Sequence, residues 1–353
     1  MALPLLSWLQ SISGGLLNRG SRAGGAYQPK HHVFAFNGRS LYWLGMGQEL
    51  YRTEPAFRAM VHEFNDLLIE IADCDLVPLF AGQADEQFMQ GKVTYYIMAV
   101  QVAQVALWKA YQVEPDAIAG LSLGEIAGVY AAGGLSLPDA IRVCTAVVRM
   151  FFPLAKDFLY FYVHTALASA QTACLTSPVP IYPVVELNAQ TCLVFFHSDD
   201  EAAATAFLHQ QGYHWEPLTR VGSWPTHTPL LAHHQPSFSA LLTEIEPLPL
   251  RCAFYSSRLG AVIPANTIIG REYWFEMVTN PTLLHSLVQA LGADGIDVVT
   301  HIGPHPFLSG TQQKSALSLP PGLLVLDSMR RGTPEAALFS DTRRRLRQLG
   351  LAR

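Results

Sequence analysis

Apolar residues fall into two kinds of run along this chain. Short unbroken runs, such as His32-Val33-Phe34-Ala35-Phe36 and Ala117-Ile118-Ala119-Gly120, read as buried strands of a parallel sheet. Longer runs with apolar residues three and four apart read as helices. Residues 48–73 are of this second kind: Phe57, Met60, Val61, Phe64, Leu67, Leu68 and Ile71 predict one or two helices. Residues 87–111 are apolar on most faces, which predicts one continuous central helix. Val113-Glu114-Pro115-Asp116 punctuates it, and the strand at 117–120 leads into a further helix that Gly133-Gly134 stops. Ser136 then stands as the N-cap of another helix, with Pro138 in its first turn.

After about residue 155 the period changes. Residues 158–163 form an aromatic strand pattern and 166–175 a helical one. Two strands follow at 181–187 and 191–196, parted by Asn188-Ala189-Gln190. A helix behind Asp199-Asp200 ends at Gly212, and 215–221 reads as a last strand. The order βαββαβ is that of a ferredoxin-like unit. A larger α/β domain resumes near residue 222, with helices at 230–245 and 281–292, strands at 252–255 and 298–302, and a basic helix at 342–349. The expected division is a core of 30–155 and 222–320, a ferredoxin-like subdomain at 156–221, and a C-terminal linker with the basic helix at 321–353. Residues 1–29 read as a linker or leader segment, with no acidic residue before Glu49.

Composition narrows the function classes. Of 353 residues, half are hydrophobic, so the chain has ample core. The net charge of −5, with no long basic face, argues against nucleic acid as a partner. No run is long and apolar enough for a bilayer, since 96–108 is broken by Gln101 and Gln104. The five scattered cysteines fit a reduced, cytoplasmic setting, and no ligand spacing announces a metal site. No P-loop or dinucleotide fingerprint is present, so no bound cofactor is expected, and a monomer is the expected state.

The candidate chemistry sits at Gly120-Leu121-Ser122-Leu123-Gly124. A serine on a sharp strand-to-helix turn has strained backbone, and a Cβ on either glycine would collide with the turn. The turn exposes the Ser122 hydroxyl, and the Leu123 amide at the helix start points toward a developing oxyanion. The serine needs a base. His227, between the inserted unit and the next helix, is the candidate, with His301 and His305 as rivals.

Several segments together resemble the malonyl transacylase and polyketide-synthase acyltransferase family. They are Phe36-Asn37-Gly38 with Trp43-Leu44-Gly45-Met46-Gly47, Gly120 to Glu125, Gly133 to Ala140, Thr226-His227-Thr228-Pro229-Leu230 and Gly303-Pro304-His305-Pro306. The resemblance implies an α/β-hydrolase-like core with an inserted ferredoxin-like subdomain. It also implies a ping-pong reaction. His227 takes the proton of Ser122, which attacks an acyl-CoA or acyl-carrier thioester; the phosphopantetheine thiol of an acyl carrier protein then accepts the acyl group. The backbone amides of Leu123 and Arg39 match the oxyanion donors, and His305 matches a structural turn.

The chain departs from the family pattern at pocket positions. Gly38-Arg39-Ser40-Leu41-Tyr42 replaces Gly-Gln-Gly-Ser-Gln, Thr94 replaces a glutamine and Leu121 a histidine. Asn188 falls near the pocket asparagine, and Met277 aligns with the residue that steadies the catalytic imidazole through a backbone contact. The arginine that pairs with a malonyl carboxylate aligns with Val147; Arg149, two residues on, belongs to another helix face. The expected substrate is therefore an acyl group other than malonyl. Two other functions fit the same residues: an editing hydrolase that releases acyl groups from carrier proteins, and a catalytically degenerate docking module.

Overall fold

A computed structural model describes residues 31–39, 42–151, 154, 157–218, 225–308 and 319–352. The leader segment at 1–29 and the end of the strand expected at 215–221 lie outside them. Among the described residues the strands are β1 (His32–Phe36), β2 (Ala117–Gly120), β3 (Phe158–Val163), β4 (Tyr182–Asn188), β5 (Thr191–His197), β6 (Trp215–Pro217), β7 (Ala253–Ser256), β8 (Ala261–Ile263), β9 (Thr282–Leu283), β10 (Val298–Ile302) and β11 (Leu324–Asp327).

The larger sheet runs β11-β10-β1-β2-β7-β8, parallel throughout except for the β7–β8 hairpin. Strands β10, β1 and β2 are buried from end to end, as the unbroken apolar runs require. The smaller sheet runs β6-β3-β5-β4-β9. Strands β3 to β6 and their two helices, Leu167–Cys174 and Glu201–Gln210, have the ferredoxin-like arrangement, mutually antiparallel. The core contributes β9, which adds to β4 in parallel and stitches the subdomain to the larger domain.

The central helix is shorter than its hydrophobicity suggests. Gly91 adopts φ +75° and breaks the expected helix of 87–111 into Glu86–Met89 and Val93–Ala110. The second piece is buried on nearly every face. Its two glutamines tie loops at the strand ends. Gln101 Nε2 donates to Asn37 O (2.7 Å), and Gln104 Oε1 accepts from Gly303 N (2.6 Å). Gly303 has φ +135°, and a Cβ there would lie 1.5 Å from Asn37 Oδ1, so only glycine lets these loops meet.

Other expectations are corrected in detail. The helix expected at 230–245 is a 3₁₀ turn, Pro229–His234, followed by the helix Gln235–Leu241. The helix Arg271–Thr279 and strands β8, β9 and β11 carry no clear period and were not expected. The basic tail helix is longer, Glu335–Gln348. Glu335 at its start docks it on the core by accepting the amides of Gly47 (2.7 Å), Glu49 (3.1 Å) and Leu50 (3.2 Å). Among the described residues no helix is long and apolar enough to cross a membrane, and the five cysteines are unpaired.

Candidate functional site

Strands β1 and β2 are neighbours in register, Phe36 beside Gly120, so the loops at their C-terminal ends lie side by side. Ser122 occupies the second of these loops with φ +53°, a left-handed conformation that costs a serine about 1–3 kcal/mol. The flanking glycines make the turn possible. A Cβ at Gly120 would stand 2.7 Å from Glu125 Cα, and one at Gly124 would stand 2.5 Å from Phe36 O. The helix Gly124–Ala131 starts directly behind, and among the described residues nothing in the chain accepts the Leu123 amide proton. Gly38 brings the first loop against the elbow: a Cβ there would lie 3.3 Å from Ser122 Cβ.

His227, which follows the subdomain in the chain, meets this turn. Its Nε2 stands 2.8 Å from Ser122 Oγ. Nδ1 faces two backbone carbonyls, Met277 O and Asn280 O, each at 3.1 Å. These carbonyls hold the proton on Nδ1, which leaves Nε2 as the acceptor for the serine hydroxyl. The His227 amide donates to Val278 O (2.6 Å), and Thr228 caps the following turn. Burial pushes the His227 pKa down to about 4, against the two carbonyl contacts that favour its charged form. The rivals are engaged elsewhere. His301 Nδ1 pairs with Asp327 Oδ1 (3.0 Å) and its Nε2 accepts from Leu308 N (3.2 Å). His305 Nδ1 accepts from Arg331 N (3.2 Å).

A buried carboxylate lies behind the elbow. Ser122 N donates to Ser257 Oγ (2.9 Å), whose hydroxyl donates to Glu125 Oε1 (2.6 Å). Glu125 also accepts from Arg258 N (2.8 Å), from Ser256 Oγ (3.3 Å) and from the Tyr273 hydroxyl. Desolvation raises the Glu125 pKa to about 7 against those donors. Sequence reasoning missed this set. Glu125 sat within a quoted motif without a role, while Ser257 and Tyr273 carry no local signal.

The pocket positions scatter. A small cavity of about 10 Å³, room for one water, lies next to the elbow. Thr94, Ile97, Met98, Gln101, Leu123, Cys144 and Arg39 line it. Thr94, Leu123 and Arg39 are thus brought together. The Arg39 side chain reaches the cavity from the loop after β1, and its burial there lowers its pKa. Val147 is packed in the main apolar core and does not line this cavity, and Arg149 is exposed. Leu121 packs against the second apolar cluster on the other side of the sheet. Asn188 caps its own hairpin turn by accepting from Gln190 N (2.8 Å) and is not in the cavity lining. Met277 reaches His227 through its carbonyl alone, with its side chain buried in the core.

The profile described as "Acyl transferase domain" matches residues 33–351. The chain belongs to this acyl transferase domain family. It is 28% identical over 339 residues to the spectinabilin polyketide synthase system protein NorA′ of Streptomyces orinoci, covering 93% of this chain but 9% of that protein. It is 29% identical over 309 residues to the mycoketide-CoA synthase of Mycobacterium tuberculosis, covering 86% of this chain and 7% of that protein. The chain therefore spans a small fraction of these polyketide-synthase relatives. Solved structures share the fold. The acyltransferase domain from the second module of the salinomycin polyketide synthase aligns with TM-score 0.76 at 22% identity, over 97% of this chain and 80% of that one. MCAT from Streptococcus pneumoniae aligns with TM-score 0.72 at 22% identity, over 88% and 99%. The acyl transferase fold is thus an α/β-hydrolase-like core carrying a ferredoxin-like subdomain, as the element order predicts.

Proposed function

We propose that this acyl transferase domain moves an acyl group from a thioester to the phosphopantetheine thiol of an acyl carrier protein, through an acyl-enzyme at Ser122. The observation that carries the reading is the 2.8 Å contact between Ser122 Oγ and His227 Nε2, with Nδ1 held by two carbonyls. Neutral His227 takes the hydroxyl proton as Oγ attacks the thioester carbonyl. The amides of Leu123 and Arg39 stabilise the oxyanion; both are backbone groups, so the changed side chains of the loop do not remove them. The protonated imidazole then gives its proton to the departing thiolate. In the second half His227 activates the carrier thiol, which takes the acyl group and restores Ser122.

The acyl group is one other than malonyl. Val147 offers a carboxylate no charge-assisted partner, and Arg149 is exposed to solvent. The cation at the cavity, Arg39, comes from the loop after β1 and not from the helix that carries Val147. The experiment is intact-protein mass spectrometry after incubation with malonyl-CoA and a panel of uncharged acyl-CoA and acyl-carrier thioesters. The expected result is an uncharged adduct on wild type that Ser122→Ala lacks and that moves to a holo carrier protein. Rapid malonylation of Ser122 overturns the specificity. Release of the acyl group to water rather than to the carrier thiol assigns the editing hydrolase instead. No adduct from any donor assigns the docking module.

A further inference from the structure

Away from the elbow, the pairing of β3 with β6 gathers three ligand-type side chains on one face of the ferredoxin-like sheet. The antiparallel register sets Tyr162 opposite Glu216 and Val163 opposite Trp215. The next pair is His164 and His214, joined by a bond from His164 N to His214 O (2.9 Å). Side chains alternate across a strand, so both histidines and Glu216 share a face. Val163 and Trp215 turn the other way, into the apolar cluster under the helices. The two imidazoles stack, with centroids 5.1 Å apart and planes 19° apart. Both aim at one oxygen: His164 Nε2 lies 3.7 Å and His214 Nε2 3.8 Å from Glu216 Oε1. All three ligand atoms lie within 4.8 Å of one another.

We propose that His164, His214 and Glu216 bind a divalent transition-metal ion of the zinc class. Two imidazoles and a carboxylate are a zinc-type donor set, whereas magnesium and calcium prefer oxygen alone. Tetrahedral coordination with bonds of about 2.1 Å places ligand atoms about 3.4 Å apart. The two imidazole–carboxylate separations of 3.7 and 3.8 Å need close only by a few tenths of an ångström, and the imidazole–imidazole one, within 4.8 Å, closes by rotation of two exposed side chains. Solvent completes the fourth position. The ion would clasp the short edge strand β6 to β3, and β6 precedes His227 by ten residues in the chain. Spacing along the sequence announces no such site, because the histidines come from opposite ends of the subdomain and only the strand register joins them.

The test is isothermal titration of zinc chloride into the full chain after chelator treatment. The expected isotherm shows one zinc equivalent that His164→Ala and His214→Ala each weaken by about tenfold or more. Glu216→Gln, nearly isosteric, weakens it without disturbing the strand pair. His62→Ala, whose imidazole bonds Tyr51 instead, leaves it unchanged. Zinc should also raise the melting temperature of wild type and not that of the His164→Ala/His214→Ala double variant. Absence of binding up to millimolar zinc overturns the proposal. So does an isotherm that survives in the double variant, which would move the ion to other residues such as the free cysteines.

Discussion

The Ser257 hydroxyl accepts the backbone N–H of Ser122 at 2.9 Å and donates its own O–H to the buried Glu125 Oε1 at 2.6 Å. Glu125 sits in the first turn of the helix that starts at the elbow, so the strained residue is held from behind by a side chain three positions further on. Ser257→Ala leaves Ser122 N and Glu125 each short of one partner, a loss of about 1–3 kcal/mol. Chemical denaturation should show that loss, and the rate of acyl-enzyme formation should fall as the elbow relaxes. A variant with wild-type stability and wild-type acylation would remove Ser257 from the positioning of Ser122.

Glu125 also makes stability depend on pH. Its folded pKa of about 7 lies above the ordinary value of 4.5, so the folded state keeps a proton that the unfolded chain has released between those values. The contribution is fully present below about pH 4.5 and is lost as pH rises through 7. Glu125→Gln cannot titrate, so its stability relative to wild type should improve from pH 5 to about pH 7 and level off above that. Denaturant midpoints for both proteins across that range decide it, and a constant difference would place Glu125 at an ordinary pKa.

His227 behaves in the opposite sense. Burial holds its pKa near 4, so the imidazole is neutral and able to accept a proton well below the usual histidine range. Single-turnover acylation of Ser122 should stay level from neutral pH down to about 5 and fall only as pH approaches 4. An acid limb centred near 6.5 would contradict the buried, neutral imidazole. The same depression makes folding less favourable as pH drops from about 6.5 toward 4, because the unfolded chain takes up the proton first.

Met277 supports His227 through its carbonyl, so its side chain is replaceable where its backbone is not. Met277→Leu, a swap that roughly conserves volume, should keep acylation within a few-fold of wild type. Asn280→Ala should do the same, since Asn280 also contributes its carbonyl. His227→Ala, by contrast, should slow acylation by about a thousandfold or more. A large loss in Met277→Leu would mean that the side chain itself orients the imidazole.

Gly124 is the tightest point of the turn. Gly124→Ala places a methyl 2.5 Å from Phe36 O and 2.6 Å from Asn37 O, both backbone atoms of the neighbouring strand end. The expected outcome is a destabilisation of several kcal/mol or failure to accumulate folded protein. Gly212→Ala is the control: nothing lies within 4 Å of a Cβ there, and the cost should be limited to its positive φ. Equal thermal stability of the Gly124 variant and wild type would refute the close approach.

The sequence by itself determined whatever is governed by rules that act within a few residues. The alternation and runs of apolar positions marked β1, β2 and β10 and the βαββαβ unit, and the steric demands of a sharp turn marked Gly120, Ser122 and Gly124. The family resemblance singled out His227 among thirteen histidines, but its two carbonyl contacts come from residues about fifty positions away. Only the tertiary structure decided those contacts, the Ser257–Glu125 support, the entry of Arg39 into the cavity and the meeting of His164, His214 and Glu216. The helix Arg271–Thr279 was illegible for a related reason: it packs on several sides, so its apolar residues show no simple period. Periodicity reports which face of an element is buried. It carries no information on which distant element covers that face, and the chemistry of this site is made at those long-range junctions.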